Sequence, residues 1–302
     1  MDYAAKQVVV VDSTGTITAK LGKAGGGPGE LLFPGGLVAM PGDRVGVLDS
    51  YKMAIVAFQA DGSASQLRLD SLLPGPLRRV TAVSLTSDGH WYFSAVRSVG
   101  GATREGLYER HNGSERLVAE TPAASHAPVV LPCGIVLAEE SPVFWPSLRW
   151  AASDSTIYVA SDDRYRVLVM RGGSGVDTVT REVTPTPATF DLTVGFPIGA
   201  SVRAGEQECI ISAEDAARQR GLAPFVSPIS AITVSPTGTL WVRRFGPDTA
   251  RAEIDVFERD GTFRRTIAGI PFPVAFLTRS HFAALEYNAD GVASLVLWRV
   301  GR

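Results

Sequence analysis

The sequence predicts an all-β chain of the propeller type. Three observations carry this. An apolar run ending in a polar-Gly turn recurs along the chain, a two-strand element precedes most copies, and the repeat is roughly 40 to 50 residues long. Residues 2–15 read DYAAKQVVVVDSTG and residues 49–62 read DSYKMAIVAFQADG. Each begins with Asp, ends with Gly and places its apolar run at the same offset. IDVFERDG, ending at Gly261, sets Phe257 four residues before the glycine, as Phe58 stands before Gly62. Looser copies end at Gly113 and Gly175. An apolar run followed by such a turn is a hairpin signal.

The preceding element is strand, tight polar turn, strand. It appears at residues 36–49, 81–96, 148–161, 229–244 and 274–287, with turns PGD, SDG, SDS, SPTG and TRS. Each full unit therefore reads as four short antiparallel strands, one propeller blade. The expected architecture is a single domain over 1–302 of five recognisable blades plus an N-terminal half blade. That is a six-bladed type with its first blade incomplete.

The stretch GGGPGELLFPGGLVAMPGDRVGVLDSYKMAIVAFQADG (residues 25–62) resembles the NHL-like six-bladed β-propeller proteins of bacteria. The resemblance implies the fold over nearly the whole chain. It implies little about function, because propellers host sensors, binding modules, lyases and lactonases alike.

GKAGGGPGE (22–30) is rich in glycine beside Lys23, but it is not a phosphate loop. Ala24 stands where a Walker loop needs Ser or Thr, and Pro34, Gly35 and Gly36 follow where a helix should open. It reads as the crossover from one blade to the next. One insertion, 186–227, interrupts the repeat and contains SAEDAARQRG. Ser212 as N-cap, Asp215 three residues on and Gly221 as the stop predict one short helix, with a covering role favoured over that of a lid.

The chain has 302 residues, 45% of them hydrophobic, and a formal charge of -2. This balance gives no pull toward nucleic acid or an anionic membrane. No basic region followed by an apolar run opens the sequence. The chain as written reads as cytoplasmic, or as periplasmic or secreted if its N-terminus is truncated. Cys133 and Cys209 are expected as buried inert thiols, pairing only if the fold brings them together.

In a propeller, the loops entering each first strand and joining strands two and three share one face. That face is expected to receive Glu30, Asp49, Arg78, Arg79, His126, Arg149, Asp162, Asp163, Arg243, Arg244, Glu286 and Asn288. Arg78, Arg79 and Arg149, with His126 and Trp145, are the candidate ligand-binding residues, because guanidinium groups bind carboxylate or phosphate through paired hydrogen bonds. Asp49 is expected to cap backbone amides. Calcium-dependent lactonases and phosphotriesterases of this fold carry a Glu, Asn, Asn, Asp cluster. Here Asn112 falls on the opposite face, which leaves Asn288, and the carboxylates of Glu30, Asp49, Asp162 and Glu286 are the other candidate metal ligands.

Two function classes follow. One is a binding or scaffold propeller, without a cofactor, that holds a small anionic molecule or peptide at an arginine-lined channel mouth. The alternative is a promiscuous hydrolase of the lactonase or phosphotriesterase type using a divalent cation such as Ca2+. The unpaired N-terminal half blade, with VVVV at 8–11, is expected to pair with the last blade or with a partner molecule, the latter giving a homodimer or higher oligomer through that edge.

Overall fold

The structure is a computed structural model. It describes residues 1–12, 14–42, 44–70, 79–99, 102–124, 126–153, 156–172, 174–194, 198–204, 207–246, 253–288 and 292–300. The chain divides into two compact units, Met1–Glu120 and Thr121–Arg302.

The first unit opens with a hairpin of β1 (Val8–Val11) and β2 (Ile17–Leu21). The short strands β3 (Lys23–Ala24) and β4 (Glu30–Leu31) pair in parallel and close the glycine-rich corner. The first blade is β5 (Pro34–Met40), β6 (Arg44–Asp49), β7 (Ala54–Phe58) and β8 (Ala64–Arg68). The second is β9 (Arg79–Leu85), β10 (Trp91–Val99), β11 (Ala102–His111) and β12 (Ser114–Glu120).

All five residues of β7 are buried, and its alternation explains why. Successive side chains of a strand point to opposite faces. Ile55 joins a cluster with Leu48, Val83 and Phe93, whereas Val56 and Phe58 join one with Val8, Leu21 and Leu31. A central blade strand is thus apolar at every position because it serves two cores.

The second unit begins with a hairpin, β13 (Ala127–Val130) and β14 (Val136–Glu140). A blade follows: β15 (Arg149–Ser153), β16 (Thr156–Ala160), β17 (Arg166–Arg171) and β18 (Ser174–Thr180). The insertion then supplies β19 (Thr186–Pro187), a 3-10 turn at Phe190–Thr193, the hairpin β20 (Ala200–Ala204) and β21 (Gln207–Ile211), helix α1 (Ala213–Arg220) and β22 (Phe225–Val226), which pairs with β19. The next blade is β23 (Ile229–Val234), β24 (Leu240–Arg244), β25 (Ile254–Phe257) and β26 (Phe263–Ile267). The last has three strands, β27 (Pro273–Phe276), β28 (His281–Tyr287) and β29 (Ala293–Arg299). On β24 the same two-sided pattern recurs: Leu240 and Val242 pack with Val167 and Tyr158, while Trp241 packs with Ile254 and Phe276.

The fold is therefore all-β, of propeller-type blades with few helices. Five blade sheets and the separate N-terminal hairpin form among the described residues, matching the five recognisable blades; a sixth blade is not shown.

One turn recurs at the hairpin ends. In Gln59–Ser63, Thr86–His90, Ser235–Thr239 and Glu258–Thr262, the fourth residue is a glycine with φ between 82° and 90° whose N–H bonds the carbonyl of the first. That is a type I turn closed by a residue in the left-handed region, which glycine adopts without a steric penalty. This geometry is what makes the polar-Gly signal visible in the sequence.

Cys133 and Cys209 form a disulfide, with Cα atoms 6.1 Å apart, which corrects the expectation of free thiols. It joins the β13–β14 turn to β21, across 76 residues of sequence. Around it Val129, Leu131, Ile211 and Ala216 form a separate small core. The insertion thus packs with a hairpin that precedes the third blade, and α1 covers this assembly.

Candidate functional site

A cavity of about 380 Å³ opens in the second unit where several chain segments meet. Its walls come from residues 141–149, the C-terminal end of α1, the entry to β23 and the exit of β24. Local chemistry builds each wall. Ser212 caps α1, its hydroxyl oxygen accepting from the Asp215 N–H at 3.0 Å, and Gly221 ends the helix at φ 73°. The chain past the helix then runs alongside Val143. The Val143 N–H donates to the Gly221 carbonyl and the Ala223 N–H to the Val143 carbonyl, both at 2.9 Å. These bonds bring Arg220 to the cavity, where its Nε donates to the Ser141 carbonyl at 2.9 Å.

Phe144 and Phe245 face each other edge to face, 5.9 Å between centroids, and both line the cavity. Phe144 has φ 64°, a left-handed conformation that costs a bulky residue about 1–3 kcal/mol. Trp145 forms a further wall and donates through Nε1 to the Pro122 carbonyl at 3.2 Å. Ile198, Val226 and Ile229 complete an apolar lining.

Four arginines enter this apolar space: Arg149, Arg220, Arg243 and Arg244. Arg244 is neutralised, paired with Glu253 and with the fully buried Asp255. Burial works against its charge, and the Asp255 carboxylate more than restores it. Arg220 and Arg243 differ. Burial pulls both below the ordinary arginine range; the Glu140 charge partly opposes this at Arg220, while the Arg149 charge adds to it at Arg243. Arg243 donates to Ser230 Oγ at 2.9 Å and lies over the Phe272 ring, 5.4 Å from its centroid. Neither Arg220 nor Arg243 has a carboxylate ion-pair partner among the described residues, and no described residue lining the cavity is Asp or Glu. Arginines such as Arg220 and Arg243, drawn into a largely apolar recess without a carboxylate ion-pair partner among the described residues, are suited to an incoming anion.

The candidates taken from the sequence are distributed as follows. Trp145 and Arg149 line this cavity. Arg79 is an exposed residue at the start of β9 in the first unit, and Arg78 lies outside the described residues. His126 precedes β13, and both its ring nitrogens are buried without a hydrogen-bond partner. It is not among the lining residues. Arg243 and Arg244 were assigned to the same face as Arg149 but not to the ligand set. Arg220 was missed because nothing local marks the end of an insertion helix as a cavity wall.

Of the carboxylates considered for a metal, Glu30, Asp162 and Glu286 are engaged locally. Glu30 accepts from the Gly27 N–H at 2.7 Å and pairs with Lys23 at 3.2 Å, and these contacts hold its carboxyl below the usual range. Asp162 accepts from the Arg164 N–H at 3.0 Å and pairs with Arg166. Glu286 accepts from Trp298 Nε1 at 3.0 Å. Among the described residues no three His, Cys, Asp or Glu side chains are grouped to hold a metal ion. Glu30, Asp162 and Glu286 thus belong to no such group among the described residues.

No family model matches the chain, and no curated protein matches it. Solved structures do, and they are of β-propeller proteins. A gluconolactonase from Xanthomonas campestris is 14% identical, covering 99% of this chain and 80% of its own, with a TM-score of 0.49. Virginiamycin B lyase from Staphylococcus aureus is 12% identical over 87% of this chain and 84% of its own, with a TM-score of 0.39. The calcium-binding protein regucalcin from Agrobacterium tumefaciens is 10% identical over 88% and 90%, with a TM-score of 0.34. At this distance none of them carries an argument about function, which rests on the chain's own residues.

Proposed function

We propose that the protein is a binding module for a small organic anion with an apolar body, held in the cavity of Arg149, Arg220 and Arg243. The carrying observation is that Arg220 and Arg243 are drawn into an apolar recess lacking any described carboxylate. A folded protein gains nothing from that arrangement alone, since charges removed from water without a counter-ion are costly. An anionic group entering between the guanidiniums would offset the cost, and Phe144, Trp145 and Phe245 would contact the rest of the ligand. The strained backbone at Phe144 fits the same reading, because strain concentrates where surroundings hold a ligand wall in place.

The test is titration of the full chain with 2-naphthoate, followed by calorimetry. Arg243→Gln should weaken binding at least about tenfold, the worth of a charge-assisted hydrogen bond. Unchanged affinity in that variant would defeat the proposal. Turnover of a lactone or phosphotriester that stops in chelator would replace it with the hydrolase reading.

A further inference from the structure

The last blade is apolar on both faces but buries only one. On the buried face Phe276 and Phe282 pack on Trp241 of the preceding blade, and Trp298 stacks on Phe282. On the other face the register sets Leu285 beside Leu295, Ala283 beside Leu297 and Tyr287 beside Ala293. Leu295 is 57% and Leu297 52% exposed, and Leu285 and Tyr287 are exposed with them. The central strands β7 and β24 each serve two cores, so this one-sided blade stands apart.

The edge of this blade is open as well. Among the described residues β29 pairs with β28 alone. The Val300 N–H donates to the Ser280 carbonyl at 2.8 Å, which fixes the phase of the ladder. Bonded pairs alternate in an antiparallel ladder, so Trp298, Val296 and Ser294 bond to β28. The backbone groups of Ala293, Leu295, Leu297 and Arg299 therefore point away from it. Other blades also end in an outer strand, but those strands are guarded. Arg116 lies within β12, Asp177 within β18, and Arg264 and Arg265 within β26, while β8 exposes Ser65 and Gln66. Charged and polar side chains protect an edge against pairing with another chain. On β29 the one charge is Arg299, at its end.

We propose that this face and edge form a two-fold dimer, in which β29 pairs antiparallel with β29 of a second copy. Length selects that occupant. β29 has seven residues, whereas β1 has four and β2 has five, so a second β29 matches the whole edge and neither strand of the N-terminal hairpin does. A pairing centred on Val296 brings the outward groups into register, Leu295 with the partner's Leu297 and Ala293 with the partner's Arg299. The leucines of both copies then join Leu285 in one apolar patch. The partner's Arg299 extends past the small Ala293 toward the Tyr287 ring, a cation–π arrangement. A two-fold interface is isologous, so each contact occurs twice. The proposal is independent of the anion cavity.

The test is light scattering of the full chain at micromolar concentration, together with crosslinking. The wild type should have the mass of two chains. Leu295→Lys combined with Leu297→Lys sets like charges opposite each other at exposed positions. That variant should keep its fold and fall to the mass of one chain. Val296→Cys lies on the two-fold axis, where the facing Cα atoms of a non-bonded pair are about 4.5 Å apart, within disulfide reach. In air it should become a covalent dimer. Val176→Cys, equally exposed but on the guarded strand β18, should remain a single chain. A monomeric wild type would overturn the proposal. So would a dimeric wild type whose Val296→Cys form does not crosslink, or a folded double-lysine variant that stays dimeric. Crosslinking of Val176→Cys as readily as Val296→Cys would mark chance collision and overturn it too. Should the double-lysine variant fail to fold, the pair of cysteine variants decides.

Discussion

Arg243 donates through Nε to Ser230 Oγ at 2.9 Å, and the charge it meets in the cavity is another positive one, that of Arg149. The hydroxyl orients the guanidinium without neutralising it. Such a group is retained at a cost to the fold, so its removal should stabilise. Arg243→Met keeps the stem that packs in the cavity and deletes the charge. It should raise unfolding stability by about 1 kcal/mol, in the range of ordinary stabilising substitutions, while abolishing naphthoate binding. Urea denaturation and calorimetry on the same sample measure both effects. A destabilised variant would mean that Arg243 is structural.

Asp255 predicts the opposite behaviour. It is fully buried and accepts from Tyr165 Oη at 2.7 Å, Thr266 Oγ1 at 2.7 Å and Arg244 Nε at 2.9 Å, with Arg181 also paired to it. Burial alone would raise its carboxyl; the bonds from Arg244, Thr266 and Tyr165 hold it below the usual range. A lowered folded value contributes stability above the unfolded value, about pH 3.9, and that contribution is lost as pH falls toward the folded value. Asp255→Asn should cost about 3 kcal/mol at neutral pH, since it leaves arginines without their partner. The gap between variant and wild type should narrow below about pH 4. Urea midpoints from pH 7 to pH 3 check this, and a gap constant across that range would refute it.

The blades were readable in the sequence because their signals are local. Four of the hairpins announce themselves by an apolar run ending in a left-handed glycine, at Gly62, Gly89, Gly238 and Gly261. The helix was readable too, since Ser212 and Gly221 are neighbours in sequence of what they cap. The cavity was only half readable. Trp145 and Arg149 stand at a blade entrance, where the repeat makes position predictable. Arg220 reaches the cavity through the bonds between Val143 and residues 221–223, roughly 80 residues apart. The pairing of Cys133 with Cys209 is equally non-local. No spacing rule connects such partners.

Asp49 tests whether a repeated carboxylate is structural. It is completely buried at the end of β6 and accepts from the N–H groups of Leu32 at 2.7 Å, Tyr51 at 3.1 Å and Lys52 at 3.0 Å, with Phe33 at 3.3 Å. It thereby ties the glycine-rich corner to the turn after β6. Asp49→Ala would leave these amides without their acceptor. The expected cost is about 2–3 kcal/mol, because a buried unsatisfied donor loses its full desolvation compensation. Naphthoate affinity should not change, as Asp49 is not a lining residue of the cavity. A normally stable variant that has lost binding would reverse the assignment.

The disulfide links stability to the site. Cys133 and Cys209 are 76 residues apart, and a cross-link closing a loop of that size is worth about 4 kcal/mol in the chain-entropy model. Its local effect follows from what it holds. The small core of Val129, Leu131, Ile211 and Ala216 seats α1, and α1 carries Arg220 to the cavity. The Gln219 side chain adds to this, accepting from the Val130 N–H at 2.7 Å and donating to the Val130 carbonyl at 3.0 Å. Breaking the bond should therefore loosen α1 before it unfolds the blades, whose cores of Val167, Leu240 and Phe257 are separate. The expected result for Cys133→Ser with Cys209→Ser is faster amide exchange over residues 207–220. Naphthoate affinity should fall several-fold, and the blade strands should keep their protection. Hydrogen exchange with mass spectrometry, run beside a reductant-treated wild-type sample, reads all three. Thiols that react freely with reagent in the native, unreduced protein would show that the bond does not form. Unchanged exchange over α1 in the double variant would show that the bond, though formed, does not hold the wall that carries Arg220.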